Sequence, residues 1–232
     1  MRSSDLPEVR ELTLFRTCAA DNFEELMQAA YLQTFPAQVE LISAGDAADF
    51  LFVVIEGSVE LYSQAKDRES TLSIVEPVGS FILAAVVKDA AYLMSARTLA
   101  KSRLLMIPAQ NVRAIFEKDE AFARAVVLEL ANCYRVMVRE LKNQKLRSSV
   151  ERLANRLLRL HAQQGSHGSV ELPFDKRTLA SLLGMTPENL SRAFNTLQPY
   201  GVAVNGSRIK LTSLADLETL AHPDPLIDDP AS

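Results

Sequence analysis

The chain has 232 residues, of which 48% are hydrophobic and 23% are charged, and its formal net charge is −4. This composition excludes a largely disordered chain, and two cysteines, Cys18 and Cys133, are too few for a disulfide scaffold or a four-thiolate metal site. Because no apolar run is long enough to span a bilayer and no signal peptide is visible, we expect a cytoplasmic protein without a membrane partner.

Residues 5–34 begin the chain with apolar positions at intervals of three and four, which predicts helical structure. From Phe35 onward, short runs rich in Val, Ile, Phe and Leu alternate with turn residues, among them Gly45 and Gly57, whose turns call for a positive φ. This alternation predicts an antiparallel sandwich or small barrel. The predicted strands are 39–42, 50–55, 59–62, 71–75, 81–87, 96–99 and 103–107.

A helical period returns at Pro108, which suits the first turn of a helix. A long helix is predicted over residues 119–145, and it carries a heptad-like apolar stripe. The stripe comprises Val126, Leu130, Cys133, Met137 and Leu141. The spacing leaves two explanations open, since the stripe either lies along its own domain or pairs with its twin in a two-fold dimer. Cys133 is accordingly either an ordinary small hydrophobe or a thiol that two copies bring together, permitting a disulfide under oxidation.

The last third of the chain begins with a predicted hinge at residues 147–149, where Ser149 is a candidate cap for the following helix. Residues 222–232, with three prolines and three aspartates, are predicted to form a disordered tail. The other elements predicted are a helix at 150–161, strands at 170–172, 201–204 and 208–211 with an Asn205-Gly206 hairpin turn, and a helix at 214–220.

Charge is distributed unevenly along the chain. Residues 139–212 hold twelve basic and five acidic residues, a net charge of +7, whereas the remainder carries −11. A basic module on an acidic chain is typical of a segment that contacts a polyanion, although a solvated helical face would give the same excess.

The same segment contains the pattern of a helix-turn-helix motif. Residues 178–184 predict a short first helix that ends at Gly184, and Thr186 caps a second helix with Pro187 at its first position. The predicted shared core is Leu179, Leu182, Leu183, Leu190, Phe194 and Leu197. The polar residues of the second helix are thereby left on its outer face, as reading of the DNA major groove requires.

Four residues of that outer face are candidate base contacts, namely Glu188, Ser191, Arg192 and Asn195. An arginine forks onto the O6 and N7 acceptors of guanine, and a glutamate accepts from a cytosine amino group. Glu188 and Arg192 are four residues apart, so we expect them to pair and to read as one unit; a solvent-facing pair on a purely structural helix is the alternative. The candidate phosphate contacts are Lys176, Arg177, Thr186, Arg208 and Lys210, with Arg147 and Arg152 as further basic residues.

Several of these segments resemble the Crp/Fnr superfamily of bacterial transcription regulators, over nearly all of residues 10–220. Residues 44–61 resemble the opening strands of the cyclic-nucleotide-binding β-roll, and residues 79–82 resemble the family's Gly-Asp-Phe-Ile. The Glu-Arg-Leu-Ala at 151–154 resembles the tetrapeptide that follows the dimer helix. Glu188-x-x-Ser191-Arg192 resembles the reading-helix motif of the Fnr branch, and the overall pattern is similar to that of the FtrB-type activators.

The resemblance implies several properties. The long helices would form a homodimer, with Val126, Leu130, Cys133, Met137 and Leu141 in the interface. The dimer would bind double-stranded DNA at a palindromic operator with half-sites like TTGA. It would act as an activator by contacting RNA polymerase.

Departures from the family pattern bear on the effector. Where cyclic-AMP binders carry Gly-Glu-Leu and Arg-Ser, this chain has Leu83-Ala84-Ala85 and residues 91–94, Ala-Tyr-Leu-Met. Arg97 lies two strand residues beyond the position of the family's phosphate-binding arginine. Without a cation at that position, a bound phosphate would be buried and unpaired, at a cost of several kcal/mol. We therefore expect no regulation by cyclic AMP. The expected pocket lining, filled by its own side chains or by an apolar ligand, is Leu83, Ala84, Val86, Tyr92 and Leu93.

Other cofactors are constrained by the ligand-forming residues. One cysteine near the N-terminus is too few for the four that an Fnr-type iron–sulfur cluster needs. The histidines, His161, His167 and His222, all lie in the last third, so haem in the roll would depend on Cys18 or a methionine. No cofactor is evident, no metal site is predicted, and with no nucleophile–base pair visible the chain is not expected to be an enzyme.

The sequence therefore predicts an α+β protein with a cyclic-nucleotide-binding-like β-roll, a long dimerisation helix and a C-terminal winged helix-turn-helix domain. The predicted boundaries are 1–110, 111–147 and 148–222, followed by the tail 223–232. The predicted function is sequence-specific transcription regulation. The alternatives are a haem or small-ligand sensor of the same architecture, and a sensor or docking protein whose C-terminal module binds protein rather than DNA.

Overall fold

The structure, a computed structural model, describes residues 6–66, 68–165 and 167–229. The chain divides into two compact units whose boundary falls between Cys133 and Tyr134, and each unit has a hydrophobic core of its own. The long helix, predicted as a separate segment over 111–147, therefore belongs to both units. In the described part of the chain, none of the helices combines the length and the apolarity that crossing a bilayer demands.

Two short helices and an edge strand open the N-terminal unit: α1 (Leu6–Arg10), α2 (Ala20–Gln28) and β1 (Tyr31–Phe35). The prediction of helix over residues 5–34 is wrong for residues 11–18, which form turns and bends between the two helices. It is also wrong at its end, because Tyr31–Phe35 pairs antiparallel with a strand at Ser102–Pro108. Tyr, Thr and Phe favour strands once a partner strand is present, and the local helical spacing is overridden by that pairing.

The predicted antiparallel sandwich is confirmed. The strands after β1 are β2 (Glu40–Ile42), β3 (Phe50–Glu56), β4 (Val59–Ala65), β5 (Arg68–Val75), β6 (Ser80–Phe81), β7 (Ser95–Thr98) and β8 (Ser102–Pro108). They form two sheets with the strand orders β1-β8-β3-β6 and β2-β7-β4-β5. Along β3 every residue from Leu51 to Ile55 is buried, since the strand lies in the middle of its sheet and also packs against helices.

The predicted strand at residues 81–87 is wrong beyond its first residue. Only Ser80–Phe81 pairs as a strand, and the chain then enters helix α3 (Leu83–Lys88) through Ile82, whose φ is +69°. Leu83 and Val86 are three residues apart and both are buried on one face of that helix. In a run that is apolar throughout, this helical spacing cannot be distinguished from a buried strand by sequence alone.

Helices α4 (Ala109–Lys118) and α5 (Glu120–Leu146) follow, and Asp119 joins them. Its Oδ1 accepts from the Phe122 backbone N–H at 2.9 Å and caps α5, while its Oδ2 accepts from Ala19 N–H at 2.9 Å and from Asn22 Nδ2 at 2.8 Å. Burial alone raises the pKa of this carboxyl, but the hydrogen bonds outweigh burial and hold the pKa well below its usual range. Asp119 thereby fixes the start of both α2 and α5.

The C-terminal unit contains the last part of α5 and a winged helix-turn-helix arrangement. The elements of this unit after α5 are α6 (Ser149–Gln163), β9 (Ser169–Glu171), α7 (Lys176–Leu182), α8 (Pro187–Leu197), a 3₁₀ helix (Gln198–Tyr200), β10 (Val202–Asn205), β11 (Arg208–Leu211), α9 (Leu214–Ala221) and α10 (Pro225–Asp228). The small sheet has the order β10-β11-β9, and the hairpin of β10 and β11 is the predicted wing. The hairpin turn is Gly206-Ser207, one residue later than predicted, because Asn205 still pairs with Arg208.

Two predictions at the ends of this unit need correction. The cap of α6 is Ser148 rather than Ser149: Ser148 accepts from Glu151 N–H, and the Glu151 carboxylate accepts from Ser148 N–H in a capping box. The predicted disorder over 222–232 is wrong for residues 222–229, which include α10 with Ile227 buried. Residues 230–232 lie outside the described residues.

Gly57, in the turn between β3 and β4, provides a test of the roll. Its φ is +86°, and a Cβ there would lie 2.5 Å from the Lys101 carbonyl oxygen. Gly57→Ala is therefore expected to lower the free energy of unfolding by at least about 3 kcal/mol, since backbone strain and a clash with backbone act together. Gly45, at φ +95° with no atom within 4 Å of its would-be Cβ, is the matched control. Gly45→Ala should cost about 1–2 kcal/mol in denaturant unfolding; equal losses for the two variants would contradict this account.

Candidate nucleic-acid interface

The helix-turn-helix is built by local capping. Asp175 accepts from Thr178 N–H at 2.7 Å, so α7 begins at Lys176, two residues earlier than predicted. After α7 the chain turns through Gly184 at φ +64°. The predicted cap of the second helix is confirmed: Thr186 Oγ1 accepts from Asn189 N–H at 3.3 Å, and Pro187 occupies the first position of α8.

Helix α8 has one buried and one exposed face. Leu190, Phe194 and Leu197 are buried, and of the other predicted core residues Leu179 and Leu183 are buried while Leu182 is half-buried. The four candidate base contacts are all exposed: Glu188, Ser191, Arg192 and Asn195. These four recur at intervals of three and four, so they share one face of the helix.

The predicted pairing of Glu188 with Arg192 is replaced by another contact. Within the described residues, Arg192 Nη2 donates to Asn189 Oδ1 at 2.5 Å, and no ion pair joins it to Glu188. The pKa of Glu188 lies below its usual value because its carboxylate accepts from its own backbone N–H and from Thr186, with a smaller effect of the Arg192 charge. Sequence reasoning missed Asn189, although its three-residue spacing to Arg192 was the available signal.

The candidate phosphate contacts fall into two groups. The five exposed ones are Lys176, Arg177, Thr186, Arg208 and Lys210. Arg208 Nε lies 3.5 Å from a Glu171 carboxylate oxygen, and Lys176 Nζ lies 5.7 Å from the centre of the Phe194 ring. A groove of about 390 Å³ beside the wing is lined in part by Arg208 and Lys210, which adds positive charge at this edge.

Arg147 and Arg152 are not available to phosphates. Arg147 forms an ion pair with Asp228 at 2.5 Å, and only 6% of its side chain is exposed. Arg152 is buried, where its Nε donates to the Leu183 carbonyl at 2.9 Å and its Nη1 donates to the Arg147 carbonyl at 2.7 Å. These two cations hold the unit together instead of facing solvent.

The predicted dimer stripe is only partly exposed. Val126 is fully buried in the core of the N-terminal unit, and Leu130 packs partly buried against that core, so Val126 does not belong to an exposed interface. Cys133 is exposed, as are Met137 and Leu141, with 70% and 59% of their surfaces accessible. Of the predicted stripe, therefore, only the part from Cys133 to Leu141 is exposed.

The predicted pocket lining of the roll is also divided. Leu83, Val86 and Tyr92 are buried in the core, whereas Ala84 is exposed and Leu93 is 85% exposed, so the last two do not line a pocket. Leu83, Val86 and Tyr92 belong to the packed hydrophobic core of the N-terminal unit.

Arg97, the cation nearest in sequence to the pocket, is already engaged. Its Nε donates to Glu60 at 2.7 Å, and its two terminal nitrogens donate to Glu69 at 3.1 and 2.6 Å. Glu60 is buried and also accepts from Thr71 at 2.5 Å, and the guanidinium stacks over Tyr62. The bonds to Glu69 hold the pKa of Arg97 above its usual range, so the group stays charged within its own network.

Cys18, the cysteine considered as a haem ligand, is buried and its thiol donates to Asp119 Oδ2 at 3.3 Å. Burial and then the Asp119 carboxylate raise the pKa of this thiol to about 12. A thiol held in its protonated form is a poor metal ligand. Among the residues that the structure describes, no three His, Cys, Asp or Glu side chains come together as a metal site.

The geometry defines a class of protein: a β-roll of the cyclic-nucleotide-binding type, a long helix and a winged helix-turn-helix domain. The model of the cyclic nucleotide-binding domain matches residues 32–119, and that of the Crp-like helix-turn-helix domain matches residues 151–220. Together the two ranges make up more than half of the chain. The chain belongs to the Crp/Fnr family and has the fold of its transcription regulators.

Solved structures agree with this fold. FixK2 from Bradyrhizobium japonicum is 20% identical over 84% of this chain and 98% of its own, with a TM-score of 0.73. A Eubacterium rectale protein, provisionally described as a Crp/Fnr-family transcriptional regulator, gives 18% identity, coverage of 90% and 98%, and a TM-score of 0.75. A Silicibacter pomeroyi protein, provisionally described as a cAMP-binding regulatory protein, is 24% identical over 96% of this chain and 100% of its own, with a TM-score of 0.61. At these identities the likeness concerns the fold alone. No curated protein matches the chain.

Proposed function

We propose that this protein is a sequence-specific transcription regulator that binds a palindromic operator as a homodimer. The observation that carries the proposal is the exposed polar face of α8, which is presented by a helix whose opposite face is buried. A capped helix with a polar face fits the major groove of B-DNA, where each base pair shows a distinct pattern of donors and acceptors. Selection of bound sequences from a random DNA pool tests the function and the operator together.

Arg192, Glu188 and Ser191 are the proposed specificity residues. Arg192 has five donors, so it can bond Asn189 and still fork onto the O6 and N7 of a guanine. Glu188 has a lowered pKa and remains a carboxylate near neutral pH, which suits an acceptor for the cytosine amino group. Asn195 extends the same face one turn further along the helix.

Affinity independent of sequence is assigned to the exposed cations Lys176, Arg177, Arg208 and Lys210. Thr186 Oγ1 is already the cap of α8, and its position at a helix N-terminus, where anions bind favourably, supports a phosphate contact. Arg147 and Arg152 are excluded from this group because their side chains are buried. We infer that fewer cations face DNA than the net charge of +7 over residues 139–212 implies.

The proposed dimer uses the exposed apolar face of α5, from Cys133 through Met137 to Leu141. An unpaired apolar helical face of this kind favours self-association, and two-fold symmetry would place two α8 helices in successive major grooves. Activation through RNA polymerase and membership of the FtrB-type branch are proposed on the sequence resemblance; transcription in vitro with and without the operator checks the first of these.

The roll is proposed not to respond to cyclic AMP. Leu83, Val86 and Tyr92 are buried at the positions considered for the ligand, and Arg97 is bonded to Glu60 and Glu69. A cyclic phosphate would have to displace those carboxylates or remain unpaired.

Arg192→Ala is expected to lose about 1–3 kcal/mol of discrimination at one base pair, because a forked arginine–guanine contact is removed. The measurement is a titration of the selected operator and of its single-base variants at fixed salt. As the matched control, Arg177→Ala should weaken binding to all sequences about equally and reduce the slope of log K against log salt by about 0.9. An Arg192→Ala protein with the sequence preference of the parent would refute the reading role.

Leu141→Glu is expected to raise the dimer dissociation constant at least about tenfold, since it places a charge in the proposed interface. Sedimentation analysis over a range of protein concentrations measures this. Leu128 is the control: it is 60% exposed against 59% for Leu141, but lies about 140° away around the helix. Equal behaviour of Leu128→Glu and Leu141→Glu would place the interface elsewhere.

Cyclic AMP is expected to leave the melting temperature unchanged. A ligand present at 100 times its dissociation constant stabilises the folded state by about 2.7 kcal/mol, which a thermal shift resolves easily. Operator DNA in the same assay shows that stabilisation by a ligand is detectable. A concentration-dependent rise with cyclic AMP would show that the roll binds it.

A further inference from the structure

Residues 222–229, here called the C-terminal strap, fold back onto the rest of their unit. Helix α10 is short, and Asp224 caps it by accepting from Leu226 N–H at 2.9 Å. Ile227 is 5% exposed and anchors the strap. The segment is thus held in place although its Pro- and Asp-rich sequence predicts disorder.

Two cations of α5, and Arg147 directly after its end, bind the strap. Arg147 donates to both carboxylate oxygens of Asp228, at 2.9 and 2.5 Å, and Lys142 Nζ lies 3.7 Å from Asp224. Arg139 donates to the Asp229 carbonyl at 2.7 Å. Met137 and Leu141 stay exposed, so the strap leaves the apolar face of α5 uncovered.

The Arg147–Asp228 pair is the centre of this contact. The two side chains are 6% and 14% exposed. Burial alone would raise the pKa of Asp228, but the bonds from Arg147 outweigh it and keep that pKa below its usual value. Arg147 also donates to the Asn143 side chain at 3.3 Å and to the His222 carbonyl at 3.4 Å. The pair is therefore bidentate, largely shielded from water and ionised, which is the geometry in which an ion pair fixes orientation.

A continuous series of bonds leads from the strap to the helix-turn-helix. Asp228 binds the Arg147 guanidinium, the Arg147 carbonyl accepts from Arg152, and Arg152 donates to the carbonyl of Leu183 at the end of α7. A Cβ on Gly184, in the next position, would lie 2.5 Å from Gln144 of α5. The end of α5 therefore lies against the turn that precedes α8. The segment 147–149, predicted as a hinge, is held by the hydrogen bonds of Arg147 to the strap and of Arg152 to the end of α7.

We infer that the strap sets the orientation of the reading helix on α5, with Asp228 as its positioning residue. The inference rests on the proposed function and deepens it: in a dimer paired through α5, a fixed joint makes the protein accept half-sites at one spacing. Loosening the joint should leave each reading helix intact while relaxing the spacing that the dimer demands. The strap contributes no base contact of its own.

The test uses the full chain with Asp228→Asn, which keeps the side-chain shape and removes its charge. The DNA probes are the selected operator and the same half-sites with one base pair added to or removed from the spacer. We expect the preference for the parent spacing to fall about tenfold, within the range of measured coupling effects. Glu218→Gln, an exposed carboxylate of the same unit, makes the same change in net charge and should keep the parent preference.

A second measurement does not depend on DNA. Trypsin cleavage after Lys145 and Arg147, followed by mass spectrometry, should be about tenfold faster in Asp228→Asn, because opening of the α5–α6 junction becomes easier. Lys142→Gln removes a more exposed partner of the strap and should change both readouts in the same direction by less. It serves as the milder variant if Asp228→Asn folds poorly.

The outcomes separate the two proposals. If the parent protein selects no DNA, the proposed function fails, and the cleavage rates still decide whether the strap secures the junction. If Asp228→Asn loses affinity equally at every spacing, the pair merely stabilises the unit and the positioning role is overturned. Unchanged spacing preference and unchanged cleavage would overturn the inference altogether.

Discussion

Burial of the apolar face of α8 is the constraint on which the proposed DNA interface depends. Leu190, Phe194 and Leu197 pack into the core of the C-terminal unit, and each fully buried side chain of this size contributes roughly 1.5–3 kcal/mol. Since these residues recur at helical spacing, burying them forces Glu188, Ser191 and Arg192 outward. The polar face is therefore a consequence of the core, and a change in that core would misplace the reading residues without touching them.

The basic residues of the same unit serve two different ends. Arg147 and Arg152 are buried and bind Asp228, Leu183 and the backbone of the α5–α6 junction. A buried guanidinium bonded to several fixed neighbours specifies one arrangement of them, whereas an exposed guanidinium is accessible to a phosphate. This division narrows the surface that DNA could use to the α7–α8 edge and the wing.

In the roll, Arg97 likewise binds groups of its own unit. It is bonded to the buried Glu60 and to Glu69, and it stacks over Tyr62. The charge of Arg97 is therefore already neutralised by two carboxylates of the roll itself. Together with the strap, these contacts describe a regulator whose geometry we propose to be fixed largely by its own side chains.

Local signals in the sequence determined the elements whose stability is itself local. The caps Thr186 and Ser148–Glu151, the turn at Gly57 and the alternation of strand runs all act within a few residues, so the winged helix-turn-helix, the antiparallel sandwich and the outward face of α8 followed from the sequence. The capping residue of α6 and the hairpin turn were predicted to within one residue, which is the resolution such signals have.

Only the tertiary structure decided which partner each ambiguous segment takes. Tyr31–Phe35 became a strand because β8 supplies its hydrogen bonds, and residues 83–88 became a helix because Leu83 and Val86 reach the same core. The charge pattern could not show that Arg147 is buried against Asp228, because these residues are 81 positions apart and the pairing depends on how the strap folds back. Sequence spacing records local periodicity, so it predicts which residues share one face of a helix or strand. Burial and ion pairing arise from contacts between distant segments, so only the tertiary structure decides which of those faces is buried and which charges are paired.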